Sequence, residues 1–169
     1  MGGRLRFCSA LAALVMLSVG MVGCGDDTVA PEYQYGIAPL ADTIHWQSTS
    51  VIWTGANAKT ASILIVGADW CGWCEKLREE TLTDRSVMGL VEKYFAACII
   101  DGDSDSLITV GDSTMSCHDA VRAVFGVRGY PTTIFFDNDG SELQRVPGYY
   151  DAENYANLLW QEVERARAN

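Results

Sequence analysis

The spacing of apolar positions divides this chain into an apolar head, a polar connector and a run of alternating strand-like and helix-like segments. Residues 7–22 are apolar, interrupted only by small residues and Ser, while residues 25–39 are polar, punctuated by Gly and Pro, and read as a tether. Ile44-His45-Trp46 suggests a short first strand and residues 48–59 a helix. Ile63-Leu64-Ile65-Val66 is a continuous apolar run of the kind a strand buried on both faces requires. It leads into Trp70-Cys71-Gly72-Trp73-Cys74 and a helix with Cys74, Leu77 and Thr81 on one face. Asp84 is placed to cap a further helix that turns Val87, Leu90, Val91 and Tyr94 inward, and residues 95–100 form a second buried strand. Residues 101–116, rich in Asp, Ser and Gly, read as a loop before a helix holding Val121, Val124 and Phe125. Residues 132–136 and 142–146 are strands joined across Asn138-Asp139-Gly140, a hairpin signal. Asp151 caps a last helix, in which Tyr155, Leu158, Leu159 and Val163 recur at helical spacing. The order predicts an α/β fold: a sheet layered by helices, with the Cys71 turn at the carboxyl end of a parallel strand.

Composition adds a compartment to this picture. At 169 residues and 49% hydrophobic, the chain supports one globular domain, expected over residues 41–169. Arg4 and Arg6 ahead of the apolar run read as an export signal over residues 1–23, followed by the tether at 24–40. The run is too short for a permanent membrane span to be the first choice. Its end, Met21-Val22-Gly23-Cys24, resembles the lipobox of bacterial lipoproteins, with Met21 where Leu is usual, which implies a lipid-anchored Cys24. An ordinary signal peptide or an uncleaved anchor would equally place the domain outside the cytoplasm. The net charge of −10 becomes −12 once Arg4 and Arg6 are removed, and that argues against nucleic acid or anionic headgroups as partners.

The chemistry centres on two cysteines. A Cys-x-x-Cys between a strand and a helix makes a dithiol switch, because the first sulfur sits over unpaired N–H groups that favour a thiolate. Cys71 is then the attacking sulfur, and Cys74, one turn on, resolves the mixed disulfide. The same spacing is also half of a zinc site, but that needs two more ligands. Cys98, Cys117, His45 and His118 form no second paired cluster, so no metal or other cofactor is expected.

The segment Ala68-Asp69-Trp70-Cys71-Gly72-Trp73-Cys74, followed by Gly129-Tyr130-Pro131-Thr132, resembles the thioredoxin superfamily. The likeness is greatest to the C-terminal thioredoxin-like domain of bacterial membrane thiol–disulfide interchange proteins, and it covers about residues 63–160. Residues 127–132 are also similar to protein disulfide isomerases. The resemblance implies a thioredoxin fold, a central mixed sheet with helices on both faces, and a cis peptide before Pro131 against the cysteine pair. It also implies Trp70, Gly72, Trp73, Tyr130 and Pro131 as the docking edge. Disulfide-bearing proteins or small thiols are the implied substrates, and a dithiol donor upstream. The sequence departs from thioredoxin at Ile65, where thioredoxin has a buried Asp, so Asp69, Glu75 or a water is left to take the Cys74 proton. It departs again at Gly72-Trp73, where thioredoxin has Gly-Pro.

The remaining candidates carry less. Asp101-Gly102-Asp103-Ser104-Asp105 alternates oxygens as a calcium loop does, but Ser106 stands where Gly is needed and Asp112 replaces a bidentate Glu, so a flexible solvated loop is expected. Glu79 and Glu80 read as solvated helix surface, and Trp46, Trp53 and Trp160 as packing. Cys98 and Cys117 bracket the long loop and are expected either to form a structural disulfide or to remain one buried and one exposed thiol. The function these residues point to is extracytoplasmic thiol–disulfide exchange, in the reducing direction. A copper-carrying module and a binding module with an inert disulfide are the alternatives.

Overall fold

A computed structural model describes residues 43–54 and 59–168. The expected export signal, Cys24 and the expected tether lie outside the described residues. In chain order the elements are α1 (Val51–Thr54), β1 (Ala61–Gly67), α2 (Gly72–Lys76), α3 (Arg85–Tyr94), β2 (Phe95–Asp101), β3 (Leu107–Val110) and β4 (Ser113–Ser116). They continue with α4 (Cys117–Asp119), β5 (Thr132–Phe136), β6 (Glu142–Pro147) and α5 (Ala152–Ala168). Both α2 and α4 run on into a π-turn, Leu77–Thr81 and Ala120–Val124 respectively, where the bonds Leu82 N–H to Leu77 O and Phe125 N–H to Ala120 O skip one residue further than an α-helix does.

A four-stranded mixed sheet runs in the order β2-β1-β5-β6. Strand β1 is buried along all seven residues, which is why its run is apolar on both faces. It pairs in parallel with β2 (Ile63 opposite Ala97, Val66 opposite Ile100) and antiparallel with β5 (Leu64 opposite Ile134). On one face, Ile63, Ile65, Phe95 and Phe135 pack against Val87, Val91, Leu159 and Val163 of α3 and α5. On the other, Leu64, Val66, Ile134 and Phe136 meet Ile52, Val121 and Phe125. Helices therefore cover both faces, the thioredoxin arrangement that the resemblance implied.

The caps fall where the side chains suggest. Asp84 accepts from the backbone N–H groups of Ser86 at 2.8 Å and Val87 at 3.3 Å, and the Ser86 hydrogen bonds hold its carboxyl below the usual carboxylate range. Asp151 Oδ1 accepts from Asn154 N–H at 2.9 Å at the head of α5.

Three expectations are corrected. Ile44-His45-Trp46 forms no strand: the His45 N–H donates to the Glu92 carboxylate instead of to β2, and it is the following residue, Gln47, whose N–H donates to Ala97 O of that strand. The helix over 48–59 is helical, among its described residues, only at Val51–Thr54; residues 55–58 lie outside the described residues. The loop over 101–116 contains the β3–β4 hairpin, its strands turning through Gly111-Asp112 with Gly111 at φ 58°. A Gly-Asp dipeptide after Ile108-Thr109-Val110 is a two-residue hairpin turn, and that signal was hidden by the polar character of its surroundings.

Candidate active site

The buried end of β1 delivers Ala68 and the turn that ends at Cys71. Cys71 has extended backbone and stands as the N-cap of α2, its Sγ accepting from the Cys74 N–H at 3.1 Å and its carbonyl from Glu75 N–H at 3.1 Å. Cys71 and Cys74 are joined as a disulfide, with Cα atoms 5.2 Å apart. Cys71 is 7% exposed and Cys74 2%, so the first cysteine is the more accessible of the two. Gly67 leaves the space behind Cys74: a Cβ there would sit 3.4 Å from its Sγ. Ile65 is buried, so no carboxylate is supplied from that position, and Asp69 and Glu75 are both exposed.

The Tyr130–Pro131 peptide is cis. Pro131 is buried, its carbonyl accepts from Gly148 N–H at 2.8 Å, and Tyr130 packs on the small cluster of Ala68, Cys71 and Cys74. A proline here has no N–H to pair and leaves the strand edge open beside the sulfurs. Trp73, Tyr130, Pro131 and Tyr149 line one shallow groove of about 270 Å³. Trp70 and Tyr130 line a neighbouring one of about 550 Å³. Trp70 and Trp73 are 74% and 59% exposed, and a Cβ on Gly72 would meet nothing, so the surface around the disulfide is open and aromatic. The structure thus brings together all the docking residues expected from the sequence.

It also adds residues that the sequence did not single out for this site. Asp103 bridges the two halves: Trp70 Nε1–H donates to its Oδ2 at 2.8 Å and the Tyr130 hydroxyl to its Oδ1 at 3.2 Å, with the two rings 5.9 Å apart. Burial first, and then the Asp103 hydrogen bond and charge, push the Tyr130 phenol above its ordinary range. The loop carrying Asp103 is braced, with Asp103 N–H on Asp101 Oδ1 at 3.0 Å and Gly102 N–H on Gly67 O at 2.7 Å, so its oxygens serve the aromatic rings and the turn, while Asp103, Asp105 and Ser106 are exposed, as the expected solvated loop requires. On the other side the Trp73 ring packs at a tilt against Tyr149, centroids 5.6 Å apart, the Lys76 ammonium lies 4.7 Å from the Tyr149 ring, and the Tyr149 hydroxyl donates to Glu80. Glu80, expected to be only solvated surface, has that partner as well as Lys76. Tyr149 follows a hairpin and has no motif of its own; only the fold carries it to Trp73.

Cys98 and Cys117 are both buried free thiols in one apolar cluster, so the expected disulfide between them is not formed here, and the exposed-thiol alternative for either is not met. The Cys98 S–H donates to Ser48 O at 3.4 Å, and burial pushes its thiol up to about 12. Burial, aided by the Asp101 charge, raises Cys117. Such thiols lack the thiolate that oxidation needs. Among the described residues no cluster of three or more His, Cys, Asp or Glu side chains could hold a metal. Trp53 packs on Phe125 and Phe136, and Trp160 on Tyr94, as expected of packing residues, while Trp46 is 40% exposed.

The sequence matches the thioredoxin-like domain family over residues 48–161. It is 33% identical over 94 residues to the thiol:disulfide interchange protein DsbD of Actinobacillus pleuropneumoniae serotype 5b, a match covering 54% of this chain and 14% of that protein. The chain therefore spans a small part of that relative's length. The disulfide bond reductase DsbH of Chlamydia pneumoniae is 22% identical over 111 residues, covering 63% of this chain and 64% of the relative. Among solved structures, a thioredoxin from Thermus thermophilus superimposes with a TM-score of 0.56 at 18% identity, covering 71% of this chain and 87% of that one.

Proposed function

Because the chain belongs to the thioredoxin-like family, we propose that it is a thiol–disulfide oxidoreductase that reduces disulfides of extracytoplasmic proteins or small thiols, held to a membrane by a lipid on Cys24. The observation that carries this reading is the Cys71–Cys74 disulfide at the head of α2, slightly more exposed at Cys71 than at Cys74 and flanked by the cis Tyr130–Pro131 peptide. In the reduced protein the Cys71 thiolate attacks one sulfur of the substrate disulfide. That S–S bond breaks, the far sulfur leaves as a thiolate and takes up a proton, and Cys71 is held in a mixed disulfide. Cys74 loses its proton and attacks Cys71 Sγ, which releases the second substrate sulfur. Two electrons have passed to the substrate, and an upstream dithiol must reduce the Cys71–Cys74 bond before the next cycle. Relatives named as an interchange protein and a disulfide bond reductase support this direction.

Cys74→Ser tests the roles: it is expected to accumulate mixed disulfides that vanish when Cys71 is also replaced. Non-reducing gels without any Cys71-dependent adduct would sink the assignment. For the anchor, intact-mass analysis of the membrane fraction is expected to show Cys24 as a lipidated N-terminus. A Cys24→Ala protein that stays membrane-bound with the same mass increment would remove that part of the proposal.

A further inference from the structure

The groove beside Trp70 and Tyr130 is charged differently from the rest of this acidic chain, whose net charge is −10. Besides those two aromatics its walls include Arg122, from the π-turn after α4, and Arg128, from the loop that leads to the cis peptide. Both arginines are exposed, and neither makes an ion pair among the described residues. Arg145, which lines the adjoining groove, is committed to Glu142 through bonds of 3.0 and 2.7 Å. Among the described residues that line it the only acid is Asp103, and both its oxygens are already engaged by Trp70 and Tyr130. The loop is also bare of side chains at Gly126 and Gly129, both exposed, so an extended peptide can approach the backbone closely on its way to Cys71.

We propose that this groove is a specificity subsite for an acidic side chain flanking the reactive cysteine of a protein substrate, with Arg122 and Arg128 as its cationic contacts. The proposal rests on the exchange reading above and names the substrate class for that same site. Two guanidinium groups present forked donors that suit a carboxylate, and their position in the groove on the Trp70 side sets which side of the substrate cysteine the acid must occupy. The rest of the acidic surface repels such a substrate at long range, so the arginines select orientation as well as charge.

The test uses the reduced full-length protein and three disulfide-linked peptides that differ only in carrying Glu, Gln or Lys beside the cysteine. The rate constant for reduction is expected to fall in the order Glu, Gln, Lys, by about fivefold at each step at low ionic strength, the scale of one exposed ion pair, and the spread should shrink as salt is raised. An Arg122→Glu/Arg128→Glu variant, shown to be folded by circular dichroism, is expected to reverse that order. The same order in the variant as in the parent, or no order in the parent, overturns the subsite while leaving exchange intact. A dependence on the arginines seen with glutathione disulfide but with none of the peptides overturns the assignment to a protein substrate. Failure to reduce any of these disulfides overturns the exchange reading and the subsite together.

Discussion

Gly102 lies beneath Tyr130 so closely that a Cβ on it would stand 2.8 Å from both Cε1 and Cζ of the tyrosine ring, and closer still to its hydroxyl. The residue before the cis proline is thus seated on the residue before Asp103, and the loop after β2 fixes where the Tyr130 ring stands. Gly102→Ala is expected to push the ring aside, break its bond to Asp103 and cost about 1–3 kcal/mol, the usual scale of overpacking. Thermal unfolding checks this, and in a Tyr130→Ala background the same substitution is expected to cost close to nothing. Equal costs in both backgrounds would show that the contact is not the cause.

The Asp103 bridge makes a second prediction. Burial raises the Tyr130 phenol, and the Asp103 carboxylate raises it further by accepting a hydrogen bond from the neutral hydroxyl and by repelling the phenolate. Asp103→Ala is therefore expected to lower the Tyr130 titration toward, but not fully to, the ordinary tyrosine range. Ultraviolet difference titration against a Tyr130→Phe protein isolates this one phenol. The same variant frees the Trp70 indole, so its fluorescence should change while the Cys71–Cys74 disulfide stays intact.

The two buried thiols give a pH prediction. Cys98 titrates at about 12 in the fold against 9.0 as a free thiol, so the folded state holds its proton more tightly than the unfolded chain. Its contribution to stability is fully present below pH 9.0 and is lost as pH rises toward about 12. Denaturant unfolding across that window is expected to show an alkaline decline that Cys98→Ala flattens. With the native protein at pH 8, alkylating reagents should leave Cys98 and Cys117 unmodified while unfolding exposes both; rapid native labelling would contradict their burial.

The direction of exchange is open to a single number. Glycine and tryptophan between the cysteines supply no imidazole, and Asp69 and Glu75 are the nearest charges in sequence to Cys71. Carboxylates there raise the free energy of a thiolate and so stabilise the disulfide, which predicts a potential of roughly −200 mV or below. Arg122 and Arg128, brought to the Trp70 side by the fold, act in the opposite sense. Equilibration in glutathione buffers measures the outcome, and a value above roughly −150 mV would make the protein an oxidant.

What the sequence determined by itself was local or periodic. The run Ile63-Leu64-Ile65-Val66 can only be satisfied by a strand covered on both faces, and β1 is buried along its whole length. The caps Asp84 and Asp151 act within three residues of themselves, and a Cys-x-x-Cys at a strand end needs no distant partner to place Cys71 at the N-cap. Those signals survive folding because their partners are adjacent in the chain. The β3–β4 hairpin leaves little trace in the sequence although its turn is local, because its strands are short and partly polar. Only the tertiary structure decided the rest of the site. Asp103 reaches Trp70 across 33 residues and Tyr130 across 27, and Tyr149 meets Trp73 from beyond a hairpin. No periodicity encodes such pairs, since each is set by how β1, β2 and β5 lie side by side and not by anything within a turn of either residue. The same is true of the thiols: Cys98 and Cys117 bracket a loop in the sequence, but the fold buries both, and burial withholds the thiolate through which they would pair.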